Sequence, residues 1–354
     1  MKTFSFRGRD YIDAELDYTK EEWETLIEVS LELKKRFLMG EDMSHILKNK
    51  TLFMIFYNQS LRTRNSFETG MTHLGGHANN LEPGKIYTPA LEGEEEAYST
   101  ERVSDVANVL SRMGHGISIR AYGDPVKWVY GKSNRVIKEF AKYSDIPLIN
   151  MECDKFHPTQ ALADLVTIKE KFGQFKGVKF TMSYAYSASP HKPRAVPQSL
   201  ILAPVKMGMD VTFAYPKGFE LDPKVIEQCK KWAEENGTKF NMTNDMREGF
   251  EGADVVYPKA WCPVSMLAFP EEGIEHDHKK AQKEVDKCKK WICDKKMMSY
   301  ASKKAYYMHC LPADRGMEVT NEVIDGPQSI VFDEAENRMH TIMAIMALTM
   351  GSRI

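Results

Sequence analysis

The chain has 354 residues, of which 42% are hydrophobic and 28% charged, with a formal net charge of −2 at pH 7. The near-neutral charge argues against a nucleic-acid or anionic-membrane surface as the main function. No apolar run approaches the ~18 residues of a membrane span. The N-terminal residues lack the apolar stretch of a secretory signal, and the six scattered cysteines are typical of reduced thiols. We therefore expect a cytoplasmic protein of two domains.

Strands and helices alternate along the first half of the chain. The nearly continuous apolar run from Thr51 to Tyr57 predicts a buried strand, which leads into a helix that ends near Gly75. The other elements predicted in this half are a helix at Lys20–Met39, a strand at His77–Leu81, a polar loop at Glu82–Tyr98, a helix at Thr100–Met113, a strand at Gly116–Ala121, a helix at Asn134–Tyr143 and a strand at Pro147–Asn150. Such alternation is typical of a parallel sheet covered by helices.

The alternation restarts after a helix predicted from Pro158 to Phe172. Strands are predicted at Val178–Ala185, Asp210–Tyr215, Lys239–Met242, Asp254–Tyr257, Ala305–His309 and Ser329–Phe332. A last helix at Glu334–Met350 returns the chain towards the first domain. The expected fold class is therefore α/β, with two doubly wound parallel-sheet domains at residues 1–152 and 153–333, and residues 334–354 packed back on the first domain.

One loop does not follow the alternation of strands and helices. Three prolines between Tyr184 and Pro197 predict a stiff, extended segment. Long loops inside compact domains are uncommon and usually carry function. We expect this loop to have a functional role.

The segment Ser60–Arg64 is predicted to lie where the first strand becomes a helix. Helix N-termini favour anions because their N–H groups are unpaired and the helix dipole is positive there. Arg62 and Arg64 add planar guanidiniums that bind phosphate oxygens in pairs. The pattern predicts a phosphate site, with a solvated basic helix start as the alternative.

Ligands of open α/β sheets bind beyond the carboxyl ends of the strands. The residues predicted at such positions are Ser60, Arg62, Thr63, Arg64, Arg120, Glu152, His157, Gln160, Lys259, Trp261, His309–Gly316 and Arg338. Their chemistry fits a doubly charged anion with a carbonyl group beside it. Each residue taken alone has a structural alternative, such as a surface ion pair for Arg120 or a small buried apolar group for Cys310.

Cofactors are not expected. The chain has no G-x-G-x-x-G fingerprint for a dinucleotide. His276 and His278 lie close together in sequence but have no third metal ligand nearby. We therefore expect neither a metal nor an organic cofactor.

Four motifs together resemble the aspartate/ornithine carbamoyltransferase family. Ser60–Arg64 resembles its Ser-Thr-Arg-Thr-Arg motif, His157–Gln160 its His-Pro-x-Gln and His309–Pro312 its His-Cys-Leu-Pro. Glu336–His340 resembles its Glu-Asn-Arg-x-His. The motifs occur in the family's order and extend over nearly the whole chain.

Within the family, the chain resembles the knotted branch that includes N-acetylornithine and N-succinylornithine carbamoyltransferases and relatives of unsettled substrate. The features behind this are Tyr184–Pro197, Asn150–Glu152 and Tyr257–Trp261. The resemblance implies a trefoil knot in the C-terminal domain, and a homotrimer with active sites shared between subunits. It also implies that residues 1–152 bind carbamoyl phosphate and residues 153–333 bind the amine substrate.

The implied reaction moves the carbamoyl group of carbamoyl phosphate to the primary amine of an ornithine-like amino acid, free or N-acylated. The residues expected to bind carbamoyl phosphate are Ser60, Leu61, Arg62, Thr63, Arg64, Arg120, His157, Gln160, Cys310, Leu311 and Arg338. The catalytic residues are expected to be Arg120, His157, Gln160 and Cys310. The amine substrate is expected to contact Glu152, Lys259, Trp261, Asp314 and Arg315.

Two departures from the family pattern bear on substrate choice. Leu61 replaces the usual threonine, and Ala313–Gly316 stands where N-acetylornithine enzymes have Leu-Arg-Arg-Asn. Two alternatives stay open: the same chemistry run as phosphorolysis of another ureido compound, and a non-catalytic relative that binds carbamoyl phosphate.

Overall fold

The computed structural model describes residues 3–351. It divides into two compact units. The second unit comprises Lys127–Tyr130 and Thr167–Ala335, and the first comprises the chain up to Val126, Gly131–Val166 and the chain from Glu336 onward. Within residues 3–351, no helix is both long and apolar enough to cross a membrane.

The first unit is built on a parallel sheet. Its strands are β1 (Thr51–Phe56), β2 (His77–Leu81), β3 (Thr88–Ala90), β4 (Thr100–Arg102), β5 (Gly116–Arg120) and β6 (Leu148–Glu152). The main sheet has the order β2-β1-β5-β6, and β3 pairs with β4 in a separate parallel ladder. Its helices are α1 (Ala14–Asp17), α2 (Lys20–Leu38), α3 (Leu61–His73), α4 (Val103–Met113) and α5 (Lys132–Tyr143).

Register in the main sheet brings three strand ends to one edge. Phe56, the last residue of β1, pairs with Arg120, the last residue of β5. An irregularity between Ile119 and Arg120 shifts the β5–β6 register, so that Arg120 faces Glu152. A shift of one residue in a strand reverses which face a side chain occupies. The irregularity is therefore the reason that Arg120 and Glu152 lie opposite each other.

Helix α6 (Pro158–Phe172) begins in the first unit, and the chain then forms the sheet of the second. The strands of that sheet are β7 (Lys179–Tyr184), β8 (Asp210–Ala214), β9 (Phe240–Thr243), β10 (Val255–Lys259) and β11 (Tyr306–Tyr307). Their order is β11-β10-β7-β8-β9, and all neighbours are parallel.

The remaining helices are α7 (Ala195–Lys206), α8 (Pro223–Asn236), α9 (Met246–Phe250), α10 (His278–Asp286), α11 (Lys295–Met298), α12 (Asn321–Ile324) and α13 (Val331–Met350). The predicted α/β class with parallel sheets is confirmed. All five residues of β10 are buried, as expected for a strand covered on both faces.

Four predicted elements are wrong in detail. The polar loop contains β3, and Thr100–Arg102 forms β4 instead of the first helical turn. The strand predicted at Ser329–Phe332 is only an isolated bridge, because the Ile330 carbonyl already accepts the Glu334 N–H as a helix does. Pro197 lies in the first turn of α7, where no donor is needed, so the extended loop ends earlier than predicted.

Candidate active site

One part of the candidate site lies at the start of α3. Ser60 is the N-cap residue, and its Oγ accepts a hydrogen bond from the Thr63 N–H at 3.2 Å. The buried Thr63 hydroxyl accepts in turn from Nη2 of Arg338 at 3.0 Å. The structure thus brings three predicted residues together at the positive end of a helix.

Two other residues of the predicted phosphate motif lie on the exposed side of α3. The side chain of Leu61 is 73% exposed, and Arg64 donates from Nε to Glu68 at 3.1 Å. With Ser60, they line a cavity of about 590 Å³ whose other wall includes Asn80. The motif therefore has a buried side, which holds Thr63, and an open side.

Arg120 and Glu152 form a buried ion pair at the edge of the main sheet. Nη2 of Arg120 also donates to the Tyr122 hydroxyl at 2.9 Å. Burial acts to lower the pKa of Arg120, but Glu152 and Tyr122 outweigh it and the pKa is raised. Arg120 therefore stays charged, and its buried Nε has no hydrogen-bond partner among residues 3–351.

His157 precedes α6 and is buried beside the same carboxylate. Its Nε2 lies 3.5 Å from Oε2 of Glu152, and its Nδ1 lies 3.2 Å from the Thr159 hydroxyl. Glu152 thus faces the guanidinium of Arg120 and the imidazole of His157 together. These contacts orient both predicted catalytic groups from one point.

Gln160 lies one turn into α6 and uses both ends of its amide. Its Nε2 donates to Asp164 at 2.8 Å, and its Oε1 accepts from Nη1 of Arg338 at 2.5 Å. Both ends of the amide are therefore engaged within the protein.

Arg338, on α13, is the most deeply buried cation among the described residues of the first unit. Its side chain is only 2% exposed, and its Nε has no hydrogen-bond partner within the described part of the chain. Burial lowers its pKa to about 10 together with the charges of Arg120 and Arg62, against the opposing effect of Asp164. A buried guanidinium whose pKa is lowered beside another guanidinium favours binding of an anion.

The second unit contributes a different charged cluster around Glu318. This buried carboxylate accepts from the backbone N–H groups of Ala260 at 2.6 Å and Asp314 at 2.7 Å. Burial acts to raise its pKa, but the contacts with His309, Lys259 and the Ala260 N–H hold the pKa well below its ordinary value. Glu318 thus joins the end of β10 to the segment after His309.

Cys310 and Leu311 lie in that segment. Cys310 is half-buried, and the Leu311 N–H donates to Nδ1 of His309 at 2.9 Å. Leu311 has a φ of 53°, a left-handed conformation that is unusual for a leucine. Backbone strain of this kind clusters at functional sites.

Asp314 lies three residues after Leu311, and its side chain is about a third exposed. Its Oδ2 accepts from the Ser187 hydroxyl at 2.6 Å and lies 2.8 Å from Nζ of Lys192. Both partners belong to the proline-rich loop. The structure therefore joins one predicted amine-binding residue to that loop.

Two other predicted amine-binding residues have different surroundings. Trp261 is 1% exposed, and its indole N–H donates to the Phe219 carbonyl at 2.9 Å. Arg315 is exposed and binds both carboxylate oxygens of Asp325, at 2.5 and 2.7 Å. The polar atoms of both residues are therefore already paired within the protein.

Sequence reasoning missed Asp164, Tyr122 and Glu318. The spacing of four residues between Gln160 and Asp164 on one helix was a usable signal, because such pairs face each other. Tyr122 lies two residues after Arg120, but no pattern in the sequence marks it. Nothing local in the sequence marks Glu318 as buried.

No metal-binding cluster is present among residues 3–351: no three His, Cys, Asp or Glu side chains are grouped to hold an ion. The rings of His276 and His278 are in edge contact, with centroids 4.6 Å apart.

The chain matches two domains of one protein family. Residues 9–170 match the aspartate/ornithine carbamoyltransferase carbamoyl-P binding domain, and residues 192–349 match the Asp/Orn binding domain. Ornithine carbamoyltransferase of Carboxydothermus hydrogenoformans is 38% identical over 98% of this chain and 99% of its own length. N-acetylornithine carbamoyltransferase of Xanthomonas campestris is 34% identical over 95% and 96%.

Solved structures agree with the sequence matches. Ornithine carbamoyltransferase from Pyrococcus furiosus has a TM-score of 0.82 and 37% identity, and covers 99% of both chains. An acetylornithine transcarbamylase complexed with acetylcitrulline has a TM-score of 0.87 and 32% identity over 97% of this chain and 100% of its own. The chain therefore belongs to the aspartate/ornithine carbamoyltransferase family, whose members named here are transferases.

Proposed function

We propose that the protein transfers the carbamoyl group of carbamoyl phosphate to the primary amine of an ornithine-like amino acid, free or N-acylated. The products are a ureido compound and phosphate. The observation that supports this best is the buried Arg338, which donates both to Gln160 and to the hydroxyl of Thr63 at the start of α3. Similarity to ornithine and N-acetylornithine carbamoyltransferases supports the same reaction.

The leaving phosphate is bound by the cations and by the start of α3. Arg62, Arg64 and Arg120 supply the charge, and the hydroxyls of Ser60 and Thr63 and the N–H groups of the first helical turn, including that of Leu61, complete the site. Each hydrogen bond to a charged group contributes roughly 1.5–3 kcal/mol. Arg338 closes this site from its other side.

The carbonyl of carbamoyl phosphate is polarised by Thr63, Arg120 and His157. Attack by the amine puts negative charge on the carbonyl oxygen, and donors aimed at that oxygen typically raise rates by about 10²–10³-fold. The Glu152 carboxylate orients both Arg120 and His157, so the two groups need little reorganisation when the charge develops.

The carbamoyl –NH2 is held by acceptors. Gln160 and the backbone carbonyls near Cys310 and Leu311 fix this group. Catalytic roles are therefore proposed for Arg120, His157, Gln160 and Cys310.

The amine substrate is recognised by Glu152, Lys259, Trp261, Asp314 and Arg315. Because the indole N–H of Trp261 and the guanidinium of Arg315 have partners in the protein, these two act by shaping the pocket. The amine must be neutral to attack, and the departing phosphate is the acceptor of its proton. Bringing amine and carbonyl into contact supplies much of the rate.

We further propose that residues 1–152 bind carbamoyl phosphate, with the C-terminal helix packed on them, and that residues 153–333 bind the amine. A homotrimer in the cytoplasm with shared active sites, and a knot formed at the loop 184–197, complete the proposal. The resemblance to the knotted branch supports the knot, and the exposed apolar side chains of Val109 and Met113 on α4 support the trimer.

The test measures phosphate release and ureido product from carbamoyl phosphate with a panel of diamino acids. Arg338→Lys keeps a positive charge but cannot bind Gln160 and Thr63 together, so we expect kcat/KM to fall by about 100-fold. Arg36→Lys is the matched control, because Arg36 also binds in a fork, to Glu41 on the surface. Wild-type protein that releases no phosphate with any amine, in either direction of the reaction, would contradict the proposal.

A further inference from the structure

The second unit has a cavity between the two short helices α11 and α12. Its volume is about 540 Å³, and the turns that follow the two helices complete its wall. The lining has an apolar part and a polar part, which include Met298, Ala301 and Val323 on one side and Ser302, Lys303 and Gln328 on the other. Sites for small molecules commonly have this size and this mixture of surfaces.

The cavity lies at the amino ends of strands β10 and β11. The Ser302 N–H donates at 2.9 Å to the carbonyl of Ala253, which comes just before β10. Nε2 of Gln328 donates at 2.9 Å to the carbonyl of Ala305, which directly precedes β11. Lys259, which is proposed to contact the amine substrate, ends β10 at the opposite edge of the sheet, roughly 13 Å away along the strand. The cavity is therefore separate from the second unit's part of the proposed active site.

The apolar floor of the cavity is part of the protein core. Met298, Ala301 and Val323 are buried, and they belong to one apolar cluster that also contains Tyr307 on β11 and Val331 on α13. Because protein cores are close-packed, a floor fixed in this way does not collapse into the cavity. The thioether of Met298 is suited to contact with an aromatic ring. The floor therefore favours a ligand with an apolar, aromatic body.

The cavity is surrounded by positive charge that the protein does not neutralise. Lys303 lines the cavity and forms no ion pair within residues 3–351, and the same is true of Lys296 and Lys304, which are neighbours in sequence of lining residues. Only Lys295 is paired, with Glu322 at 2.8 Å. Four ammonium groups thus face one carboxylate, and an excess of this kind attracts an anion.

Ser302 adds a directed hydrogen-bond donor next to Lys303. Its Oγ accepts from the Lys304 N–H at the long distance of 3.5 Å, and its hydroxyl donates to no group in the described part of the chain. A carboxylate beside Lys303 can accept from this hydroxyl as well as from the ammonium group. The polar side of the cavity therefore fits a carboxylate better than a neutral group.

We propose that this cavity binds a small organic anion in which a carboxylate is joined to an aromatic body. The carboxylate lies beside Lys303 and Ser302, and the aromatic body lies on Met298 and Val323. A bare inorganic anion would leave the apolar floor uncovered, and an uncharged aromatic molecule would leave the ammonium groups without a partner. The inference goes beyond the proposed function and does not depend on it.

The probe for the experiment is 3-phenylpropionate, titrated into the wild-type protein and followed by calorimetry. We expect a Kd of about 0.1–1 mM. Two related compounds each lack one half of the recognised chemistry: 3-phenylpropanamide has no charge, and acetate has no ring. Each should bind at least about tenfold more weakly than 3-phenylpropionate. Added salt should also weaken binding of 3-phenylpropionate, because the lysines are exposed.

Two substitutions at exposed positions should change the affinity in opposite directions. Lys303→Gln removes an ammonium group, and we expect it to raise the Kd by about tenfold. Glu322→Gln removes the carboxylate of the lining and releases Lys295, so we expect it to lower the Kd by about threefold. Lys230→Gln is the matched control, because Lys230 is an exposed lysine on α8 that forms no ion pair among the described residues. It should bind 3-phenylpropionate as the wild type does.

Four results would overturn the inference. They are the absence of saturable binding up to about 10 mM probe, equal affinity for 3-phenylpropanamide, a wild-type Kd in both the Lys303→Gln and Glu322→Gln proteins when circular dichroism shows them folded, and competitive displacement of the probe by carbamoyl phosphate. The last result would place the probe in the proposed active site. Because the measurement is binding of the probe, its failure leaves the proposed carbamoyl transfer intact, and a failure of carbamoyl transfer leaves this inference intact.

Discussion

A single carboxylate, that of Glu152, decides how two proposed catalytic groups are held. It pairs with Arg120 and lies 3.5 Å from Nε2 of His157. Removing Glu152 would leave a buried guanidinium without its counter-charge, which typically costs several kcal/mol. Removing His157 should cost less stability, because the pair between Arg120 and Glu152 remains. A substitution of His157 can therefore distinguish a catalytic role from a structural one.

We expect His157→Ala to lower kcat by at least about tenfold while leaving the protein folded. The physical reason is the loss of one donor at the carbonyl oxygen, where charge develops during attack. The measurement is steady-state production of the ureido compound, together with a thermal unfolding curve.

His45→Ala is the control for this variant, because His45 is exposed on a loop. It should have wild-type kcat. A His157→Ala protein with an unchanged rate would remove His157 from the proposed mechanism.

At the scale of elements, α2 and α3 begin in the same way. Thr19 caps α2 and Ser60 caps α3, each accepting from the N–H three residues later at 3.2 Å. Loss of such a cap costs about 1 kcal/mol. Only the Ser60 cap belongs to the proposed phosphate site, so a substitution of Thr19 is a matched control for one of Ser60.

We expect Ser60→Ala and Thr19→Ala to lower the free energy of unfolding by about 1 kcal/mol each. Only Ser60→Ala should weaken binding of carbamoyl phosphate, by about tenfold, because its hydroxyl is a ligand in the proposal. Urea denaturation measures the first effect and titration calorimetry the second. Equal affinities in the two variants would reduce Ser60 to a helix cap.

Glu318 links the end of β10 to the segment after His309, and its pKa predicts a pH effect. A carboxylate whose pKa is lowered in the folded state contributes stability above its ordinary value of 4.5, and that stability is lost as the pH falls below this value. We expect Glu318→Gln to lower the free energy of unfolding by about 3 kcal/mol at pH 7.

The difference between Glu318→Gln and wild type should narrow below pH 4.5, where the wild-type carboxylate also loses its advantage. Urea denaturation across this range measures it. Glu235→Gln, which alters an exposed ion pair with Lys231, should change stability by less than about 0.5 kcal/mol at every pH. A pH-independent difference for Glu318→Gln would show that its charge does not matter.

The local sequence pattern is enough to predict the strand and the helix that carry the proposed phosphate site. The apolar run of β1 and the polar residues after it share one short stretch of chain, so the strand, the cap and the helix are all readable from neighbours. Arg120 and His157 follow from the rule that strand ends meet at one edge. In both cases the deciding interactions are close in sequence or fixed by strand direction.

Tertiary partners are what the sequence leaves open. The ladder between β3 and β4 forms across an intervening polar loop, and no alternation in Thr88–Ala90 announces it. Trp261 is of a residue type that often binds ligands, but its indole N–H donates to the Phe219 carbonyl. Which atoms are already paired depends on distances between residues far apart in sequence, and a one-dimensional pattern does not contain them.

At the scale of the whole molecule, exposed apolar side chains are unevenly distributed. Of the large hydrophobic residues that are exposed within residues 3–351, nine belong to the first unit and five to the second. Val109 and Met113 are 47% and 69% exposed and lie four residues apart on α4, so they share one face of that helix. We propose that this face of α4 belongs to the contact between subunits.

This distribution leads to a prediction about assembly. We expect the wild-type protein to sediment at about three times the 40.5 kDa of one chain, with contacts made through the first unit. Val109→Glu combined with Met113→Glu places two charges on the α4 face and should shift the mass towards a single chain. Because the proposed active sites are shared between subunits, the rate of carbamoyl transfer should fall as the trimer dissociates.

Met242→Glu is the control, since Met242 is an exposed apolar residue on β9 in the second unit. It should sediment and react as the wild type does. A wild-type mass of one chain would contradict the proposed trimer. A double variant that stays trimeric would place the contact elsewhere than α4, because two charges buried there without partners would cost more than an interface of ordinary size can supply.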